Sequence, residues 1–174
     1  MALAIALLLA GGGCHETTPQ DPPPPARGRV VATASGQVLA NIPEKYALPA
    51  NPEAAPHEVA SGTRQDGEPG YEFFLVVVDD PRQPLARVLL FPTTNSAEVE
   101  FSELLVHPGI QRSVCGFTGP VDCFRLTGIS SISPSINYIS SVRGGVAFID
   151  FQESDEQLFL DAIIAIIETT DLRR

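Results

Sequence analysis

The chain has 174 residues, 44% of them apolar, and a formal net charge of −10. That apolar content is ordinary for a globular protein and too high for a disordered one. An acidic chain with one lysine (Lys45) and no basic stripe argues against nucleic acid as a partner and against electrostatic docking on anionic lipid.

Ala2 to Ala10 is an unbroken apolar run. It is far shorter than the roughly 20 residues a bilayer span needs and matches a signal-peptide core in length. Gly11-Gly-Gly13 follows and ends at Cys14. Three successive glycines, each costing about 1 kcal/mol in a helix interior, make a buried N-terminal helix the poorest reading. The pattern resembles bacterial lipoprotein signals, in which an aliphatic run and a small residue precede a cysteine that is lipidated and becomes the mature N-terminus. Gly13 and Cys14 match the last two positions of that motif. Gly11 stands where the motif has Leu, and no Lys or Arg precedes the run, as expected if the true start lies upstream. The resemblance implies a signal peptide over 1–13, lipidation of Cys14, and an envelope location. Because His15 rather than Asp follows the cysteine, it also implies sorting to the outer membrane. An ordinary secretory signal is the alternative.

From His15 to Gly28 the chain holds Pro19 and Pro22-Pro-Pro-Pro25 without apolar periodicity. At about 3.1 Å per residue in extended polyproline II, this tether would hold a domain up to ~40 Å from the lipid. About 145 residues remain, enough for one domain over 29–174 with a sizeable core.

Val30 to Ala34 and Gln37 to Ile42, around Ser35-Gly36, predict a first hairpin. Pro43 to Gly70 then carries five prolines and little pattern; it reads as a functional loop, or as one hiding a short strand near Glu58–Thr63. Tyr71 to Val78 is the strongest strand. Its continuous apolar run predicts burial on both faces and a central position. Asp79-Asp-Pro-Arg-Gln-Pro84 breaks it, and Leu85 to Phe91 returns as its antiparallel partner.

Asn95 and Glu98 form a capping box for a helix running to Val106, with Ala97, Phe101, Leu104 and Leu105 on one face. Val121 to Thr127 is a further strand. Ile136 to Val142 and Val146 to Phe151, around Arg143-Gly-Gly145, predict a second hairpin. Ser154 to Gln157 is another capping box, opening a C-terminal helix to about Thr169. Together these give an α+β domain: an antiparallel sheet of about six strands, six or seven by the pattern, with two helices packed on it. In outline this plan resembles the family containing the extrinsic PsbP subunit of photosystem II, a likeness of fold that implies no activity.

With Cys14 taken by lipid, Cys115 and Cys123 form an even pair in an oxidising compartment, and a disulfide is expected. A bridge across so small a loop contributes about 2–3 kcal/mol on the chain-entropy model. Zinc fits less well, because its cysteine pairs are usually closer in sequence and no histidine lies nearby.

Little marks an active site. There is no G-x-S-x-G, no phosphate-cradling glycine loop and no His-x-x-x-His pair. His15, His57 and His107 are scattered, and the serines at 130, 131, 133, 135, 140 and 141 have no neighbour that marks a nucleophile. No catalytic residue, metal ligand or cofactor is assigned. Carboxylates gather at Asp79-Asp80 and at Asp150, Glu153, Asp155 and Glu156. Oxygen clusters can bind calcium, but the plainer reading is turn initiation and helix-dipole complementarity.

The C-terminal helix has a wide apolar face. Leu158, Leu160, Ile163, Ile166 and Ile167 cannot all meet one layer. They are either covered by other parts of the chain or form a candidate interface. The expected function is a non-catalytic envelope lipoprotein whose α+β module contacts another envelope protein. The alternatives are a small-ligand or cation binder with the 43–70 loop as its lid, and a hydrolase with dispersed catalytic residues.

Overall fold

A computed structural model describes residues 28–59, 69–92, 111–116, 123–127 and 135–173. The signal-like run, Cys14, the tether and the expected Asn95–Val106 helix lie outside the described residues. Among the described residues the chain forms mostly antiparallel sheet with one α-helix packed on it, the expected C-terminal one.

Strands β1 (Gly28–Ala32) and β2 (Val38–Pro43) make a two-stranded ribbon. Its turn uses Gly36 at φ +86°, a left-handed conformation glycine adopts without steric cost. Thr33 secures the turn by accepting from the Gln37 backbone N–H at 3.1 Å.

Eight strands build the main sheet. β3 (Tyr46–Ala47) and β4 (His57–Val59) both pair with β5 (Gly70–Val77); then come β6 (Leu85–Pro92), β10 (Gly145–Gln152), β9 (Ser135–Val142), β8 (Cys123–Thr127) and β7 (Gln111–Val114). Every neighbouring pair is antiparallel. From β6 the chain passes to the far edge and steps back inward through β7, β8 and β9. β10 then closes against β6, pairing Phe148 with Leu89.

The count of about six strands is too low because the four-residue β7 is not among the expected strands, and because β3 and β4 are two and three residues long, too short to show a period of two. They sit in the stretch read as a loop, and β4 is the short strand suspected near Glu58. Up to residue 59 this stretch is stitched along the edge of β5 instead of standing free as a lid.

Nor is β5 central. It lies one place from the edge, and its burial alternates: Tyr71, Phe73 and Leu75 are buried while Glu72, Phe74 and Val76 are half-buried. The alternation is invisible in the sequence because Phe74 and Val76, on the more open face, are also apolar. β10 holds the middle of the sheet.

Alternation along β10 divides the core. Ala147, Ile149 and Phe151 join the larger cluster with the helix, whereas Phe148 on the opposite face packs with Phe91, Leu126 and Ile139. The two-residue turn before β10 is close-fitting: a Cβ on Gly145 would stand 2.1 Å from the Phe91 carbonyl oxygen, so no other residue fits without moving β6.

Helix α1 (Glu156–Thr169) buries Phe159, Ala162, Ile163, Ile166 and Ile167, the i, i+3, i+4, i+7, i+8 spacing of one helical face. It packs on β9 and β10, and β2 packs against it in turn. The expected Ser154 capping box does not form. A 3-10 turn, Glu153–Asp155, leads in from β10, and Asp155 takes the cap position without a side-chain cap hydrogen bond.

The apolar excess of α1 is thereby explained. Ile163 and Ile166 are fully buried, Ile167 nearly so, and Leu158 and Leu160 are half-buried against the same core. Val31, Leu39, Ala40 and Ile42 of the ribbon supply much of the cover, and Tyr46 of the 43–70 stretch, stacked on Phe159, supplies part of what was expected of that stretch; the expected 95–106 helix lies outside the described residues. The three isoleucines therefore offer no exposed interface. Ile163→Ala should lose about 2–5 kcal/mol through a core cavity, while Val30→Ala, at an exposed position, should stay within about 0.5 kcal/mol. Chemical denaturation of both variants measures this, and equal midpoints would contradict the packing described.

Candidate functional site

The start of α1 is where polar chemistry concentrates. β10 ends there in the 3-10 turn, and the β5–β6 turn comes back beside it. Asp80 opens that turn: its Oδ1 accepts from the Arg82 backbone N–H at 2.9 Å and from Arg82 Nε at 3.1 Å, and its Oδ2 accepts from Nη2 at 2.8 Å. This fork of donors holds the Asp80 carboxyl below the usual carboxylate range. Gln83 follows with φ +47°, an uncommon conformation for a residue with a Cβ.

The third guanidinium nitrogen reaches across to α1. Arg82 Nη1 lies 3.4 Å from Asp155 Oδ1, close enough for Coulomb attraction but not directed as a hydrogen bond. Asp155 is 6% exposed, and this Oδ1 is shielded from water without a hydrogen-bond donor. Burying a polar atom unpaired costs about 1–3 kcal/mol, more when charged, so the arrangement is unusual. Arg82, Gln83, Leu85, Gln152, Ser154 and Asp155 border an open cleft of about 280 Å³ at this point.

The two carboxylate groupings in the sequence thus meet through Arg82, whose part in linking them was not evident from sequence. Its only signal was its place two residues after Asp80. The second grouping, however, splits among separate surroundings. Glu153 is exposed. Asp150 points to the other face of the sheet, where burial raises its pKa and neighbouring Arg87 opposes the rise.

Glu156, the first residue of α1, belongs to a separate network. Arg125 on β8 donates to both its oxygens, at 2.5 Å from Nε and 2.9 Å from Nη2, and Tyr138 on β9 donates its hydroxyl at 2.7 Å. Arg125 and Tyr138 are direct cross-strand partners, a juxtaposition that only the register reveals. The Arg125 hydrogen bonds, with help from Tyr138, hold the Glu156 carboxyl below its ordinary range against the opposing effect of burial. Burial and the Glu156 carboxylate push the Tyr138 phenol well above its ordinary value, so it acts as a donor here and not as a base. The network clamps β8 and β9 to the helix start.

A third group lies on β4, β5 and β6. Glu72 pairs with Arg87 and, at 3.1 Å, with His57 Nε2, while His57 Nδ1 lies 2.9 Å from the Ala55 carbonyl oxygen. This links the short edge strand to the sheet. Among the described residues no group of three or more His, Cys, Asp or Glu side chains is arranged to hold a metal ion. His15, His107 and the serines at 130, 131 and 133 lie outside the described residues, whereas Ser140 is buried with its hydroxyl donating to the Ser141 carbonyl oxygen.

Cys115 and Cys123 are brought together. Their sulfurs are 1.97 Å apart in a disulfide, and the Cys115 N–H donates to the Cys123 carbonyl oxygen at 3.1 Å. The bridge joins the end of β7 to the start of β8. Compared with protein-family models, curated proteins and solved structures, the chain has no significant match.

The Glu156 clamp carries a pH dependence. Its folded pKa is lowered, so its contribution is present above the unfolded value of about 4.3 and is lost as pH falls from there through the folded value. Glu156→Gln should cost about 1–3 kcal/mol at neutral pH and flatten this part of the acid-stability curve. Urea titrations of both proteins between about pH 3 and 7 test the sign; parallel curves would remove the clamp from the account.

Proposed function

We propose that this chain is an exported, non-catalytic lipoprotein of the bacterial cell envelope. Cys14 carries the lipid, residues 14–28 space the module from the membrane, and the sheet-and-helix module contacts another envelope protein. The disulfide between Cys115 and Cys123 is the observation that carries the reading. Such bridges persist in oxidising compartments and are rare in the cytosol, which fits the lipoprotein-like signal ahead of it. Outer-membrane sorting remains the location that His15 favours. The partner is a protein and not nucleic acid, in keeping with the acidic charge.

A second reading gains support from the cleft beside Asp155: a module that binds a small ligand or cation. Its binding place would be the cleft between the β5–β6 turn and the helix start.

Two measurements address the first reading. Cys14→Ser should move the protein from the membrane to the soluble fraction, and the mature wild-type N-terminus should carry acyl chains by mass spectrometry. A wild-type N-terminus without them would end the lipoprotein claim. In protein recovered from the envelope, alkylation after unfolding without reduction should leave Cys115 and Cys123 unlabelled. Two labelled thiols would remove the main support for export.

A further inference from the structure

We propose that the cleft between the β5–β6 turn and the start of α1 binds an organic cation, a primary ammonium on a short aliphatic stem, and that Arg82 occupies the cation position when the ligand is absent. The inference rests on the binding-module reading and is independent of the lipid anchor.

Three observations carry it. The first is an unfilled acceptor: Asp155 Oδ1 is buried and has no hydrogen-bond donor. An ammonium brings three donors to such an oxygen, and charge-assisted hydrogen bonds are about twice as strong as neutral ones.

The second is the state of the cation already there. Arg82 is 62% exposed at its side chain, and it spends Nε and Nη2 on Asp80. Only Nη1 faces Asp155, at 3.4 Å. Because the guanidinium is planar and anchored at Asp80, it cannot turn its third nitrogen into line with Asp155 without giving up the Asp80 fork. Arg82 is a loose stopper, and a smaller, freely rotating ammonium can make the bond that it does not.

The third is the chemistry of the walls. Asp80 and Asp155 against Arg82 leave one net negative charge, with exposed Asp79 and Glu153 nearby. That balance, on a chain of net charge −10, disfavours an anionic ligand. Leu85, 48% exposed at the cleft's edge, offers an apolar surface for an aliphatic stem. Gln152, Gln83 and Ser154 can accept or donate around the head group. The space of about 280 Å³ suits a small molecule or one side chain of a larger partner.

The test is amide chemical-shift titration of the purified full chain with n-butylammonium, butyrate and butanol at matched ionic strength. Butylammonium should produce saturable shifts at Gln152, Ser154 and Asp155, while butyrate and butanol produce none there. Asp155→Asn should weaken the amine about 10-fold or more. Arg82→Gln should tighten it, because the competing internal cation is gone. Leu85→Lys places an ammonium at the cleft from an exposed position and should abolish the response with the fold intact, which serves as the decisive variant if Asp155→Asn unfolds. Saturation by butyrate, with loss on Arg82→Gln, would overturn the cation assignment and leave a binding module of opposite preference. Equal shifts from butylammonium and butanol would reduce the cleft to an unspecific apolar surface. No saturable shift from any probe would overturn both this assignment and the binding-module reading that underlies it.

Discussion

Burial of α1 against β9 and β10, under the cover of the β1–β2 ribbon, is the contact on which the other features depend. Phe159 sits at its centre, with its ring centroid 5.5 Å from that of Phe151 and 5.9 Å from that of Tyr46. Tyr138 stacks on the far side of Phe151 at 5.9 Å. This run of rings joins the sheet, the helix and the short edge strand β3 in one packed unit. The tyrosines also have polar tips to place: Tyr46 donates to the Leu158 carbonyl oxygen and Tyr138 to Glu156. Apolar packing sets the position of the helix, and these hydrogen bonds set where along its axis each strand meets it.

The ribbon and the helix need each other. A two-stranded hairpin alone is marginal in water, and among the described residues β1 and β2 have no pairing with the main sheet. Leu39, Ala40 and Ile42 find their cover on α1 instead. Thr169 ties the two together at the helix end, where its hydroxyl accepts from the Asn41 N–H at 2.8 Å. Tyr71 anchors the other side by donating to Gln37 at 2.7 Å. Beyond the helix the chain returns to the β9–β10 turn, where the Leu172 N–H donates to the Arg143 carbonyl oxygen. Both ends of α1 are therefore fixed to the sheet.

The polar clamps divide according to burial. Glu156 is held by two strands in a half-buried setting and contributes to the helix start. Asp155, one residue earlier, is more deeply buried and less well paired. Adjacent acids on a tight turn point in different directions, so one can serve the fold while its neighbour lacks a donor. Buried polar atoms are nearly always satisfied in folded proteins. Asp155 Oδ1 is such an exception, and it borders an open cleft.

Much of the framework was legible in the sequence. The two hairpins follow from glycine turns between β-rich runs, the disulfide from an even cysteine pair, and α1 from the Ser154–Gln157 pattern and the apolar run after it, although the capping box itself does not form. Each of these signals is local, and the physical cause is local too: backbone freedom at glycine, a short loop between thiols, a polar start before an apolar run. What covers the helix, which strand is central and where Arg82 points were decided only by the tertiary structure. The apolar run of β5 resembles a central strand because Phe74 and Val76 are apolar, yet strand order depends on the path from β6 to the far edge and back. Arg125, Tyr138 and Glu156 come from three elements, and only strand register brings them together. Charged side chains leave no periodic trace when their partners are distant in sequence, so the site emerged from folding while the scaffold was already written in the pattern.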